Sequence, residues 1–394
     1  MNILFLTSWY PTPTNPHFAP FIKEHAKAIK TTENQLVVVA FVVHRSKLFF
    51  KKKINDFIDE NGIRTVTIEV FTRFRDIVYH ALPLQIFILK NIVKKRLLPD
   101  FQIDIIHSNV VFPAGVLGNH LAKYLKKPHI ITEHWTKIEI FLKKPILSSL
   151  AKNSYKNADA ILPVSNFLKN NILRLIPDLN RHCGHDPQSP EFHVIGNIID
   201  DKIFFYKEKI KNSENVKLCA IATWNKFKHT AKQPELFIEG IGNLPKDLKS
   251  KIELTIIGGG NMLEEMKQMC EQQWINAIFK GALPKNEIAE ILQNSDFFVH
   301  ATNFETFGVV VAEALMTGTP VICSNTTALP ELVNETNGIL CENTVKNWTE
   351  AIEKALSQNF DNQQIANSMR GKFDYFPIGK QIDEVYKKLA FSLQ

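Results

Sequence analysis

The chain has 394 residues, 45% hydrophobic and 22% charged, the profile of a soluble globular protein long enough for two domains of ordinary size. Lys and Arg number 47 against 40 Asp and Glu, a formal +7, a mild excess that excludes a nucleic-acid-binding composition. Five cysteines, at 183, 219, 270, 323 and 341, are scattered, odd in number and without a C-x-x-C pair, which excludes a disulfide framework and points to a reducing compartment.

The opening "MNILFLTSWYPT" has no basic lead, and its apolar run ends at Trp9, Tyr10 and Pro11, so it reads as a first strand and not as a signal peptide. From there short apolar runs alternate with amphipathic ones. "NILFL", "QLVVVAFVV", "IDIIHS", "HIITEH" and "AILPVS" read as strands, and "FAPFIKEHAKAIK", "AGVLGNHLAKYLKK" and "SSLAKNSYKNA" as helices between them, the β-α alternation of a parallel sheet. Two basic stretches, "HRSKLFFKKKI" (44–54) and "LKNIVKKRLL" (89–98), read either as solvated helix faces whose Lys stems cover the surface or as an attachment to an anionic membrane leaflet. No window approaches eighteen uninterrupted apolar residues, which excludes a membrane-spanning helix.

The alternation pauses over 176–193, "IPDLNRHCGHDPQSPEFH". His182, Cys183, His185, Asp186 and His193 stand close together there but match no standard metal spacing, so no metal site is expected. Strands resume with "KLCAIAT", "ELTIIGGG", "AIFKGA", "DFFVHAT", "PVICSN" and "GILCEN". The expected architecture is α/β, with two parallel-sheet, Rossmann-like domains joined by a linker near residue 200. Ligands of such sheets bind beyond the carboxyl ends of the strands. The "GGGN" at 258–261 lacks the third glycine of a dinucleotide fingerprint, Leu263 standing in its place, and reads as a tight turn.

One stretch carries chemistry: "NFETFGVVVAEALMTGTPV", 303–321. The apolar "FFV" before it reads as a buried strand running into a loop, and Val309 to Met316 as a helix ended by Gly318 and Pro320. Glu305 then lies in the strand-to-helix loop and Glu313 about one turn into the helix. Gly308 allows close backbone approach, and the amides of Phe307, Gly308, Val309 and Val310 point at whatever lies above the helix start, where the dipole favours an anion. The two carboxylates are either acceptors for the hydroxyls of a sugar or ribose or acids that complement the helix dipole.

These residues resemble glycosyltransferase family 4, retaining nucleotide-sugar enzymes of the GT-B fold, nearly end to end. The likeness is carried by "FLTSWYPTPTNPHFAPFIKEHAKAI", "DIIHSNVVFPAGVLGNHLAKYLKKPHIITEHW", "NADAILPVSNFLKNNI", "VIGNIIDDKIFF", "LTIIGGGNMLEEM", "IFKGALPKNEIAEIL" and above all "ETFGVVVAEALMTGTPVICSNTTALPELVNETNGIL". The E-x7-E spacing with F-G after its first Glu and G-x-P-V after its second is the most specific part. The resemblance implies two sheets facing across a cleft. It divides the chain into an acceptor-binding domain (1–198), a nucleotide-sugar-binding domain (199–375) and a terminal helix (376–394) that packs back on the first.

By the same resemblance Glu313 binds the ribose hydroxyls, Glu305 touches the transferred sugar, and the 307–310 amides hold the diphosphate or the sugar beside it. His134, in "ITEHW", would face the donor sugar near its reactive carbon, and Lys232, in "TAKQPELFIEGI", would neutralise the leaving diphosphate. Base contacts would come from the backbone around Gly281 and Ala282. Two departures stand out. The family arginine before the lysine is missing near Trp224 and Asn225, leaving Lys226 or Lys228 to supply a second cation. "NPHFAPF" also lacks the glycine usual in the N-terminal loop.

No D-x-D occurs, so a metal-independent reaction with no cofactor is expected. The expected partners are a nucleotide diphosphate-sugar, UDP-linked on frequency among such donors, and a saccharide or lipid-linked acceptor in surface polysaccharide or glycan biosynthesis. The expected location is cytoplasmic, with possible peripheral attachment to the inner membrane face. The rival readings are a nucleotide-sugar epimerase on the same fold and a degenerate nucleotide-sugar-binding module.

Overall fold

The computed structural model describes every residue except 13, 16–17, 136–137, 180–189, 210–214, 227–231 and 392–394, with the backbone alone for Ile140 and Ile146. The chain divides into two units, Met1–Ile198 with Tyr375–Gln394, and Ile199–Asp374.

The first unit is built on an eight-stranded sheet of order β3-β4-β2-β1-β5-β6-β7-β8. Its strands are β1 (Asn2–Thr7), β2 (Gln35–Arg45), β3 (Lys51–Ile58), β4 (Arg64–Thr72), β5 (Ile105–Asn109), β6 (His129–Glu133), β7 (Ala160–Pro163) and β8 (Glu191–Phe192). Neighbours pair in parallel except β3, which is antiparallel to β4. The continuous apolar run of β2 is buried from Leu36 to Val43, as expected of a strand covered on both faces.

One expectation needs correcting. "HRSKLFFKKKI" is not a helix face: it holds the end of β2, a turn and the start of β3. Lys51, Lys52 and Lys53 are all exposed because β3 lies at the sheet edge, where charged lysines discourage pairing with another chain. "LKNIVKKRLL" is helical, spanning the end of a helix at Leu82–Ile92 and a π-turn at Val93–Leu97.

The terminal helix Tyr375–Phe391 belongs to this unit and buries Ile378, Ile382, Val385 and Tyr386. Gly379 lets it cross the N-terminal helix Pro20–Lys30 closely, since a Cβ there would lie 2.2 Å from the Ala28 carbonyl oxygen. Tyr386 Oη reaches His107 Nδ1 at 2.5 Å, tying the helix to β5.

The second unit has a six-stranded, wholly parallel sheet of order β11-β10-β9-β12-β13-β14. The strands are β9 (Val216–Ile221), β10 (Ile252–Ile257), β11 (Asn276–Gly281), β12 (Phe297–His300), β13 (Val321–Ser324) and β14 (Gly338–Cys341). Trp224, Phe237 and Trp348 fill its core. The glycines after β10 are a packing requirement: a Cβ on Gly258 or Gly260 would fall 1.8 Å from the Ala222 oxygen or 1.9 Å from the Trp224 oxygen. The turn expected at "GGGN" is therefore present for a steric reason.

In both sheets the strand order reverses beside the first strand of the unit, between β1 and β5 and between β9 and β12. Loops diverge at such a point and leave a crevice above the carboxyl ends. Among the described residues no helix is long and apolar enough to cross a membrane.

Candidate active site

At the carboxyl end of β12 the chain turns through Glu305 into the helix Val309–Met316. Gly308 caps that helix with φ of 91°, a left-handed conformation that glycine adopts at little cost. A Cβ there would also lie 2.7 Å from Leu329. The amides of Phe307, Gly308, Val309 and Val310 donate to no acceptor among the described residues. Such a helix start presents N–H groups and a partial positive charge to an anion. Glu313, on the same helix, is buried at 8% exposure.

Lys232 reaches this loop from the segment between β9 and the helix Pro234–Gly242, through a bridge to Thr302. Its ammonium pairs with Glu305 Oε1, and His300 Nε2, 3.0 Å from the same oxygen, donates to it. Lys232 Nζ and His300 Nε2 are 3.1 Å apart. Burial acts to raise the Glu305 carboxyl, but the charge of Lys232 and the bond from His300 outweigh it and bring the pKa down to about 2. Burial and then the Lys232 charge lower His300, which is therefore neutral at pH 7. The result is an anionic carboxylate and an ammonium in the loop that leads into a helix start whose N–H groups are free among the described residues.

The remaining expected residues of this unit are dispersed. Gly281 ends β11 with φ of 69°, and its carbonyl accepts from Gly258 N at 2.7 Å; Ala282 follows, exposed. Lys226 is exposed and bound to Glu265 at 3.0 Å. Lys228 lies outside the described residues, as do His182, Cys183, His185 and Asp186 of the polar segment.

His134 belongs to the first unit, directly after β6. It is 5% exposed. Its Nδ1 donates to Asn197 Oδ1 at 3.0 Å, and His25 Nε2 donates to that same oxygen at 3.2 Å. This fixes the proton of His134 on Nδ1 and leaves Nε2 as a bare lone pair, buried without a partner among the described residues. Burial lowers His134 well below the ordinary histidine range and His25 to about 4, so both rings are neutral near pH 7.

Behind His134 sits Glu133, fully buried, whose carboxylate accepts from the amides of Val111 (2.9 Å), His134 (3.0 Å) and Trp135 (2.9 Å) and from Tyr155 Oη (2.6 Å). That web shapes the strand end from which His134 projects. Sequence reading missed His300, Asn197, His25 and Glu133. The available signal was a polar residue at the end of an apolar run, as in "FFVH" and "IITE".

Comparison with known proteins agrees with this layout. The model described as Glycosyltransferase Family 4 matches residues 23–200, and that described as Glycosyl transferases group 1 matches residues 205–371. An uncharacterized glycosyltransferase of Methanocaldococcus jannaschii is 27% identical over 306 residues, covering 71% of this chain and 73% of that protein. Among solved structures, sucrose-phosphate synthase from Thermosynechococcus elongatus superposes with a TM-score of 0.75 at 15% identity, covering 100% of this chain and 99% of that one. HepE of Anabaena, solved in complex with UDP-glucose, gives 0.68 at 16% identity, covering 98% of this chain and 100% of that one. The fold is GT-B, and the chain belongs to glycosyltransferase family 4, the group 1 glycosyl transferases.

Proposed function

We propose that this glycosyltransferase is a retaining enzyme that moves a sugar from a UDP-sugar to a saccharide or lipid-linked saccharide acceptor, in glycan or glycolipid assembly and without a metal ion. The observation that carries the reading is the meeting of Lys232, Glu305 and His300 beside the amides of 307–310, which donate to no acceptor among the described residues. The diphosphate sits on those amides with Lys232 as its cation, Glu313 holds the ribose, and the sugar lies against Glu305. The HepE complex with UDP-glucose supports a donor of this class.

In the reaction the bond from the anomeric carbon to the diphosphate oxygen breaks as the acceptor oxygen bonds to the same face. The acceptor hydroxyl proton passes to a donor phosphate oxygen. Charge grows on the diphosphate in that transition state, so preorganised amides and an ammonium lower the barrier. They do the work for which other enzymes use a divalent cation. His134 Nε2, a bare acceptor in the first unit, suits the hydroxyl of a sugar.

Peripheral membrane attachment has its own support. Phe49 and Phe74 meet edge to face at 5.4 Å with the Arg73 guanidinium over both rings. Phe49 is 68% exposed beside Lys51, Lys52 and Lys53. Exposed aromatics among cations suit an anionic lipid surface.

The test is thermal melting with UDP, GDP and ADP, followed by turnover of the matching nucleotide-sugars. A nucleotide at 100 times its dissociation constant adds roughly 2.7 kcal/mol. Stabilisation by UDP with sugar transfer to an acceptor supports the reading. Binding without any turnover favours the degenerate module, and donor conversion without acceptor favours the epimerase.

A further inference from the structure

The sheet of the first unit carries a cavity of about 180 Å³ at the carboxyl ends of β1 and β2. Ser8, Trp9, His44, Arg45, Arg75 and Tyr79 are among its walls. No residue that the resemblance assigns to donor binding or catalysis lies there; His44 and Arg45 open the basic stretch 44–54.

Three features of the cavity describe a ligand. The first is an excess of positive charge at exposed side chains. Arg45 reaches Asp76 at 2.9 Å and Arg75 reaches the same carboxylate at 3.6 Å, so one acid stands between two guanidinium groups. Arg75 is oriented further by a bond from Nε to the Val43 carbonyl at 3.3 Å and by the Tyr79 ring, 5.8 Å beneath it.

The second feature is an unmet hydroxyl. Ser8 is 5% exposed, and its Oγ has no hydrogen-bond partner among the described residues. Buried polar groups without partners are uncommon, because nothing then offsets their loss of water. Ser8 Oγ, in the cavity wall, marks a place where a ligand supplies the missing bond.

The third feature is an aromatic wall that leads to the strand end carrying His134. Trp9 meets Trp135, the neighbour of His134, edge to face at 5.7 Å. The cavity therefore adjoins the strand end that carries the histidine. Ring faces suit the C–H face of a sugar, and planar guanidinium forks suit the oxygens of a phosphate.

We propose that this cavity is the subsite for a phosphate group carried by the acceptor. Arg45 and Arg75 take the phosphate oxygens, Ser8 donates to one of them, and Trp9 and Tyr79 flank the adjoining sugar. The substrate class is a phosphorylated saccharide, either free in solution or joined through phosphate to a lipid. The inference deepens the proposed transferase reading and rests on it for the word acceptor.

The test uses the full chain saturated with UDP, which occupies the donor phosphate seat. Inorganic phosphate, glucose 6-phosphate, and vesicles of phosphatidylglycerol against phosphatidylcholine are then titrated, with melting temperature or sedimentation as the readout. Arg45→Met and Arg75→Met should each weaken the phosphate response at least about tenfold, the effect of a lost charge-assisted bond. Arg75→Lys should keep part of it, and stabilisation by UDP should be unchanged in all three. Glucose 6-phosphate binding more tightly than inorganic phosphate identifies a soluble acceptor. An arginine-dependent response to phosphatidylglycerol vesicles alone identifies a lipid-borne one. No response in the wild type to any of these probes, or equal responses in the wild type and both methionine variants, overturns the inference. Failure of UDP to stabilise the wild type counts against the transferase reading alone, because the arginine variants are then compared in phosphate without nucleotide.

Discussion

The Lys232 ammonium rests on the Glu305 carboxylate, 73 positions further along the chain, with both side chains largely buried. Neither partner is comfortable alone there, because breaking such a pair leaves a charge that water no longer solvates. Glu305 has a folded pKa of about 2 against an ordinary 4.5, burial being outweighed by Lys232 and His300. A depressed carboxyl contributes stability that is fully present above its unfolded pKa and is lost as pH falls through the folded value. Lys232→Met should therefore destabilise the fold by roughly 2 to 4 kcal/mol at pH 7. Its deficit against wild type should shrink between about pH 4.5 and 2. Urea unfolding of both proteins across that range checks it; a deficit independent of pH would contradict it.

Among the described residues the first unit holds four buried histidines, His25, His107, His129 and His134, each lowered chiefly by burial, His25 to about 4 and His107 and His129 to about 3. Their sign is the same: stability is complete above the unfolded value near 6.5 and is lost as pH falls through the folded values. Each group adds up to about 1.4 kcal/mol per pH unit within its window. Urea midpoints should fall steeply from pH 6 to pH 4, and His25→Gln should shallow the slope. A flat profile over that range would show that these rings are not neutral in the fold.

The glycine turn after β10 gives an internally controlled test. Gly258→Ala and Gly260→Ala place a Cβ against backbone oxygen, whereas a Cβ at Gly259 meets nothing within 4 Å. The first two should cost at least about 2 kcal/mol each, and Gly259→Ala less than about 1 kcal/mol. Thermal melts of the three variants decide whether the close crossing over Ala222 and Trp224 is real.

Glu313 is expected to hold the ribose. Glu313→Ala should weaken UDP by roughly ten- to a hundredfold, the loss of a charge-assisted hydrogen bond of about 1.5 to 3 kcal/mol. Calorimetric titration measures it. Unchanged affinity in a folded variant would return Glu313 to a dipole-complementing role.

How much of this was legible in the sequence follows from where each signal resides. The parallel strands are continuous apolar runs, and the helix Val309–Met316 is bounded by glycine at both ends, so local pattern places them. β3 escaped because an edge strand with exposed lysines has no buried face to impose alternation. The pairing of Glu305 with Lys232, and of His134 with Asn197, joins residues 73 and 63 positions apart. Only the fold brings those together. The resemblance located Lys232 and Glu305 separately without implying that they touch, and Arg45 was read only as part of a basic stretch, Arg75 not at all.

The central claim is that Lys232 serves the departing diphosphate. The measurement is the steady-state transfer of sugar from UDP-sugar by wild type and Lys232→Met, with UDP affinity followed in parallel on folded protein. A cation that acts mainly in the transition state should leave UDP affinity reduced by less than the rate, with kcat down roughly 10² to 10³. An unchanged kcat, with binding and kcat/KM falling equally, would contradict it and leave Lys232 as a uniform anchor for the donor.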